Sequence, residues 1–296
     1  MTLRNAIGVI SMFYARPFGP EHFPTLKRMR DAGAEAIELL VPEKGELDLE
    51  EARKAIADAG LSVVLAARVN LTRDLASSSA EAHKAGIAYL ESCVRSAEAL
   101  GATLIGGPLY GAPMVFAGRA PTPCDASERR RRIDAVVTGL EMAGRVAAQA
   151  GVRFAIEPLN RFETDIANTA RHACQIAEAV GSSAVGVMLD TFHMNMEESD
   201  LPGAIRATGG RLFHFQANEN HRGFLGSGHI DWPPIARALA DIDYAGPIVL
   251  EPFRRDDEDA GVTLAQWRAP QRDEDRELAA SIAYLKAALA FAEHRA

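Results

Sequence analysis

The sequence has few of the features that mark secreted, membrane-spanning or nucleic-acid-binding proteins. It holds three cysteines, Cys93, Cys124 and Cys174, with no CxxC pair, so neither a disulfide framework nor a thiolate zinc site is predicted. No apolar run approaches the roughly 20 residues that a membrane helix needs. Lys and Arg total 32 against 40 Asp and Glu, a negative balance that disfavours nucleic acid or an anionic membrane as partner.

The first residues lack the basic segment of a secretory signal. Arg4 and the apolar run 7–14 resemble one faintly, but Pro17 and Pro20 follow at once. We therefore interpret this run as a first strand and expect a cytoplasmic protein.

The chain also lacks a glycine-rich dinucleotide turn after an early strand, which an open doubly wound sheet would usually carry. Instead, short apolar runs alternate with longer amphipathic segments such as 80–100 and 127–150, a pattern typical of repeated βα units. Eight such runs predict the class α/β and a closed (β/α)8 TIM barrel, one domain spanning residues 1–296. The predicted strands are Ile7 to Met12, Ala36 to Val41, Ser62 to Ala67, Thr103 to Gly107, Arg153 to Glu157, Val185 to Asp190, Leu212 to Gln216 and Pro247 to Glu251.

The segment Arg254 to Asp275 is rich in charge, with an Arg-Arg-Asp-Asp-Glu-Asp run at its start. Its composition predicts a solvated loop that follows the last strand and leads into a terminal helix.

Polar side chains end four consecutive predicted strands: Glu157, Asp190, Gln216 and Glu251. Active sites of such barrels lie at the carboxyl ends of the strands. Three carboxylates on one rim repel one another, and a bound divalent cation would let them stay ionised together. An oxygen-rich site suits Mn²⁺, Mg²⁺ or Co²⁺. The alternative is that one or two of these acids pair with a nearby Arg or cap the next helix.

Three strings around these residues resemble a known family. Ile156-Glu157-Pro158-Leu159-Asn160-Arg161-Phe162-Glu163-Thr164, Leu189-Asp190-Thr191-Phe192-His193-Met194-Asn195 and Glu219-Asn220-His221-Arg222-Gly223 are similar to segments of the ketose 3-epimerases. This family comprises the D-tagatose, D-psicose (allulose) and L-ribulose 3-epimerases of the xylose-isomerase-like barrels. Asp74-Leu75-Ala76-Ser77 fits as well, and the likeness runs from the first strand through Glu251.

The resemblance implies roles for individual residues. Glu157, Asp190 and Glu251 would bind a divalent metal, commonly Mn²⁺, and Glu157 and Glu251 would also be the catalytic acid/base pair. Glu163, His193 and Arg222 match the residues that hold the substrate's oxygens. The resemblance also implies a homodimer or homotetramer.

One position departs from the family pattern. Six residues before Arg222, where the family usually has a histidine ligand, this chain has Gln216. We expect Gln216 to be the fourth metal ligand through its carbonyl oxygen. His214 lies on the same strand face and is the second candidate, although it would also fit as a core histidine hydrogen-bonded within the barrel.

These observations predict metal-dependent C3 epimerisation of a non-phosphorylated ketose. The metal would stabilise an enediolate while one carboxylate removes the C3 proton and the other returns it. An aldose–ketose or hydroxypyruvate-type isomerase could use the same metal site, and Gln216 leaves open a sugar-binding protein with altered catalysis. The expected partner is a small sugar, with no nucleic acid and no membrane.

Overall fold

The computed structural model describes residues 4–113, 124–253 and 273–294. Eight parallel strands close into a barrel in the order β1 to β8, with each strand hydrogen-bonded to its neighbours in sequence and β8 to β1. This confirms the predicted (β/α)8 barrel. The strands are β1 Ile7–Ile10, β2 Ala36–Leu40, β3 Ser62–Ala66, β4 Leu104–Gly107, β5 Arg153–Ile156, β6 Val185–Asp190, β7 Leu212–Ala217 and β8 Ile248–Leu250.

The predicted runs locate all eight strands. The run for β6 has the same bounds as the strand, and the other seven differ from their strands by one or two residues at one or both ends. The runs for β5 and β8 included Glu157 and Glu251, which stand one residue beyond the strands. Strand ends follow the hydrogen-bond ladder, which the residue pattern locates only to within one or two positions.

Nine α-helices surround the barrel in the described part of the chain. They are α1 Pro24–Asp31, α2 Leu49–Asp58, α3 Ala80–Leu100, α4 Ala126–Gln149, α5 Ala170–Val180, α6 Thr191–Glu197, α7 Leu201–Thr208, α8 Trp232–Asp241 and α9 Glu274–Glu293. Local sequence sets their ends. The Ser79 hydroxyl accepts a hydrogen bond from Ala82 N at the start of α3, and Gly101 closes that helix in the left-handed conformation.

Two apolar layers hold the barrel together. The larger core lies between the strands and the helices. A smaller cluster of Val64, Leu104, Ala155 and Met188 lies on the opposite face of the strands. The register pairs Met188 with His214 across β6 and β7, which places both on this inner face. The barrel interior therefore carries polar as well as apolar side chains.

Gly106 makes room for that interior histidine. A Cβ at Gly106 would stand 2.7 Å from Met188 Sδ and 3.0 Å from His214 Cδ2, closer than packed atoms approach. A larger residue on β4 would therefore push His214 or Met188 out of place.

Most of the charged segment predicted as a loop, 254–275, lies outside the described residues. Its last two residues, Glu274 and Asp275, begin α9 and are not part of a loop. Among the described helices, none is both long and apolar enough to cross a membrane.

Candidate active site

The carboxyl ends of the strands bring the predicted rim residues together. Asp190 ends β6, while Glu157 and Glu251 follow β5 and β8 directly. Their exposed fractions are only 6% for Glu157, 0% for Asp190 and 7% for Glu251. A cavity of about 340 Å³ opens at this end of the barrel. Six of the predicted site residues line it, namely Glu157, Glu163, His193, Gln216, Arg222 and Glu251.

Arg222 is the cation that contacts the rim carboxylates. Its Nη1 donates hydrogen bonds to Asp190 Oδ2 and, at 2.5 Å, to Glu251 Oε2. The guanidinium lies between two aromatic rings, 4.1 Å from the centroid of Phe192 and 4.8 Å from that of Phe253. One buried positive charge therefore partly balances two of the three rim carboxylates.

The loop after β7 positions Arg222. Arg222 adopts a positive φ of 59°, a conformation that a non-glycine residue holds only when its surroundings fix it. The buried Glu219 carboxylate accepts hydrogen bonds from Gly226 N at 2.8 Å and Trp232 Nε1 at 3.1 Å. Glu219 thus ties this loop to the start of α8. Sequence analysis included Glu219 in a motif but did not predict this structural role.

His193 lies between Arg222 and two carboxylates. Its Nδ1 faces Asn160 N at 3.1 Å and its Nε2 faces Arg222 Nη2 at 2.9 Å. Burial and the Arg222 charge lower the pKa of His193 well below its usual value, so the ring is neutral. A neutral imidazole has one acceptor nitrogen, so it cannot accept from both donors at once. His193 can therefore accept one hydrogen bond at this site, from the protein or from a sugar hydroxyl.

Three carboxyl groups around Arg222 have raised pKa values. Burial, followed by the charges of Asp190 and Glu251, raises the pKa of Glu157 well above its usual value. Burial also raises the pKa of Glu251 to about 8, against the lowering effect of Arg222. Glu163, hydrogen-bonded to Asn160 Nδ2 at 2.8 Å, has a pKa raised mainly by burial. A bound cation would lower these pKa values, because it stabilises the ionised form of each carboxylate.

A divalent metal ion fits these residues. Glu157, Asp190 and His193 offer ligand atoms that all lie within 4.8 Å of one another. Gln216 lines the same cavity, and its buried amide oxygen has no hydrogen-bond partner among the described residues. Carboxylate and amide oxygens with at most one imidazole form a donor set that suits a hard cation. The sequence assigned His193 to substrate binding, whereas the structure also places it within reach of a metal.

Gln216 and His214 both contact a residue that the sequence analysis missed. Glu38 on β2 is fully buried, and its Oε2 lies 3.1 Å from His214 Nε2 and 3.0 Å from Gln216 Nε2. The sequence did contain one signal for Glu38, which is the single acidic residue within the otherwise apolar run Ala36–Leu40. A lone charge in a barrel strand requires an interior partner, and His214 and Gln216 are those partners.

The sequence and the fold are similar to those of known proteins. Residues 26–288 match the family model of the xylose isomerase-like TIM barrel. The D-psicose 3-epimerase of Agrobacterium fabrum is 30% identical over 88% of this chain and 89% of its own length. The L-ribulose 3-epimerase of Mesorhizobium japonicum is 32% identical over 82% and 80%. A solved structure of L-ribulose 3-epimerase superposes with a TM-score of 0.90 at 29% identity, covering 98% of this chain and 96% of that one.

The class defined by the barrel and its rim is therefore that of the xylose isomerase-like TIM barrels. Within that class, the chain belongs to the ketose 3-epimerase family, which confirms the resemblance recognised in its motifs. By this membership it is an isomerase of the epimerase class.

Proposed function

We propose that this protein catalyses the metal-dependent C3 epimerisation of a non-phosphorylated ketose of the D-tagatose, D-psicose or L-ribulose class. The observation that carries the proposal is that Glu157 and Glu251, two buried carboxylates with raised pKa values, line one cavity from strands three places apart in the barrel. The names of the relatives, D-psicose and L-ribulose 3-epimerases, support the substrate class.

The proposed cofactor is one divalent ion, with Mn²⁺ preferred over Mg²⁺ or Co²⁺. Glu157, Asp190, Gln216 and Glu251 would hold it. When bound, it would polarise the ketose carbonyl and stabilise the negative charge that develops on the enediolate. Two observations support this part of the proposal: several carboxyl groups are buried together, and the Gln216 oxygen has no hydrogen-bond partner among the described residues.

Glu157 and Glu251 perform the two proton transfers. A proton on the carbon next to a carbonyl is too weakly acidic to leave unaided, and a general base typically contributes about 100- to 10,000-fold. One carboxylate removes the proton from C3 on its face of the sugar. The other, in its acid form, returns a proton to the opposite face and inverts the centre. Burial raises the pKa of both carboxyls in the metal-free site, and a bound cation would lower these pKa values again.

Glu163, His193 and Arg222 hold the sugar in the orientation that these transfers need. All three line the cavity. Glu163 accepts from sugar hydroxyls, the neutral His193 offers one acceptor nitrogen, and Arg222 donates to sugar oxygens. Together they would fix C3 between the two carboxylates.

Isotope exchange in heavy water tests the reaction. Metal-loaded protein is incubated with D-tagatose, D-psicose and L-ribulose, and the products are analysed by NMR. Deuterium at C3 together with the C3 epimer is the expected result. Deuterium at C1 with an aldose as product would instead indicate an isomerase on the same metal site. Sugar binding without any exchange would indicate a binding protein.

Single variants test the assignment of two proton carriers. In E157Q, the epimer whose C3 proton faces Glu251 should still exchange that proton for deuterium but should not epimerise, and E251Q should show the reverse. Exchange of both epimers by one variant would contradict two opposed bases. Since both residues are proposed ligands, metal content is measured in each preparation.

We further propose that the enzyme is a homodimer or homotetramer and that it is located in the cytoplasm. The three cysteines are free thiols, which supports a reducing compartment. Family membership supports the assembly, and light scattering after gel filtration measures it.

A further inference from the structure

The barrel interior holds a polar network of which no residue is assigned a catalytic step. Glu38, His214 and Gln216 are all buried, with Glu38 and His214 at 0% exposure. Glu38 reaches across from β2 to β7, and both β7 side chains meet the same carboxylate oxygen, Oε2. Burying polar side chains this far inside a barrel costs free energy. We therefore expect the hydrogen bonds of this network to have a specific structural role.

Glu38 contacts the NH₂ end of the Gln216 side chain. An ionised carboxylate can only accept hydrogen bonds, whereas a primary amide has one donor end and one acceptor end. Gln216 Nε2 accordingly donates to Glu38 Oε2 at 3.0 Å. Because the two ends of the amide are fixed relative to each other, Gln216 Oε1 must point away from Glu38.

The oxygen left on the other side has no partner among the described residues. Gln216 lines the cavity with Glu157 and Glu251, and its Cα is paired with that of Asp190 in the β6–β7 register. Side chains of paired residues in adjacent strands lie on the same face. The Gln216 side chain, whose amide oxygen has no partner among the described residues, therefore lies next to the carboxylates proposed to bind the metal.

We propose that Glu38 is a positioning residue, which fixes the amide of Gln216 so that its oxygen, and not its NH₂ group, is presented to the divalent cation. This inference rests on the metal site proposed above. In the opposite orientation the amide oxygen would face the Glu38 carboxylate and the NH₂ group would face the cation. Glu38 thereby makes a neutral side chain usable as the fourth ligand.

The role of His214 follows from the same contacts. Its Nε2 lies 3.1 Å from Glu38 Oε2. With a proton on Nε2 the ring donates to this oxygen, so the carboxylate is held from a second direction and stays beside Gln216. Gly106 provides the space for that ring. His214 is then a support of the ligand and not a ligand itself.

Direct Mn²⁺ binding tests the inference without any sugar present. Free Mn²⁺ is measured by electron paramagnetic resonance while metal-free protein is titrated. Loss of a group that orients a metal ligand typically weakens binding by about 10- to 100-fold. We expect this loss for Glu38→Gln, since the amide introduced on β2 can meet either end of the Gln216 amide. Glu50→Gln, the same chemical change at an exposed residue of α2, should bind Mn²⁺ as the wild type does.

Exchange of the two side chains provides the matched rescue. In E38Q/Q216E, the NH₂ group introduced on β2 can donate to the carboxylate introduced on β7, whose second oxygen remains free for the cation. We expect the double variant to bind Mn²⁺ at least as tightly as the wild type. A double variant as weak as E38Q would overturn the inference, and so would an E38Q protein with native circular dichroism and undiminished affinity.

A crystal structure of the Mn²⁺-loaded wild type gives a second measurement that does not depend on how E38Q folds. The expected result is Gln216 Oε1 bound to the ion while Nε2 remains on Glu38; an ion bound without Gln216, or by His214, would overturn the inference. Wild-type protein that binds Mn²⁺ through Gln216 but epimerises no ketose would refute the proposed function and leave this inference standing. Wild-type protein that binds no Mn²⁺ would refute both.

Discussion

The metal-free protein should lose stability as the pH rises, and Glu251 should account for a large part of that loss. Glu251 has a pKa of about 8 in the folded protein against 4.5 for an ordinary glutamate. A group whose folded pKa is raised favours the folded state while it is protonated, and that contribution is lost as pH rises from the unfolded pKa through the folded one. Each pH unit in this window costs about 1.4 kcal/mol. Between pH 5 and pH 7 the free energy of unfolding should therefore fall by about 3 kcal/mol through Glu251 alone.

Urea unfolding of the wild type and E251Q, in the presence of a chelator at several pH values from 5 to 8, measures this effect. The amide that E251Q introduces resembles the protonated glutamate, so this variant should have a stability close to that of the wild type at pH 5 and exceed it by a margin that grows with pH. Saturating Mn²⁺ should remove the wild-type slope, because a ligated carboxylate is stable in its ionised form. Parallel stability curves for the two proteins would refute the reasoning that burial and charge repulsion raise the pKa of Glu251.

Three further predictions concern the metal, the substrate and the loop. Removal of divalent ions with a chelator should abolish epimerisation, and Mn²⁺ should restore it, as measured by product formation after dialysis. His193→Asn should raise KM by roughly tenfold, the equivalent of one lost hydrogen bond of about 1.4 kcal/mol, and should leave Mn²⁺ affinity unchanged; a matching loss of Mn²⁺ affinity would make His193 a metal ligand. Glu219→Gln should lower stability by about 1–3 kcal/mol, because an amide can accept either from the two N–H groups on Oε1 or from Ile230 N on Oε2, but not from both sides, and thermal unfolding would detect this.

Much of the fold was predictable because the signals are local. Apolar runs mark the strands, and the helix α3 begins and ends at the residues that its pattern predicts, Ala80 and Leu100. Closure of the barrel followed from the count of eight runs and from the missing glycine-rich dinucleotide turn. The rule that active sites lie at the carboxyl ends of the strands placed Glu157, Asp190 and Glu251 at one rim without any knowledge of their separations.

The contacts that give the site its chemistry were not predictable because they join distant parts of the chain. Glu38 and Gln216 are 178 residues apart, and their hydrogen bond exists only after β2 and β7 face each other inside the closed barrel. The position of Arg222 between Asp190 and Glu251 likewise depends on a loop held by Glu219. A single sequence offers no periodicity that would report such pairs.

Asp190 shows that structural and functional roles of one acid need not exclude each other. The sequence allowed Asp190 either to bind a metal or to cap a helix and pair with an Arg. In the structure, Oδ1 accepts from Phe192 N at the start of α6 and from Asn218 Nδ2, both at 2.8 Å, whereas Oδ2 contacts Arg222. The capping oxygen fixes the direction of the second oxygen, because a carboxylate is planar. The hydrogen bond that caps the helix would therefore orient Oδ2 toward a cation. A cation bound there would have to share Oδ2 with Arg222 or displace the Arg222 guanidinium.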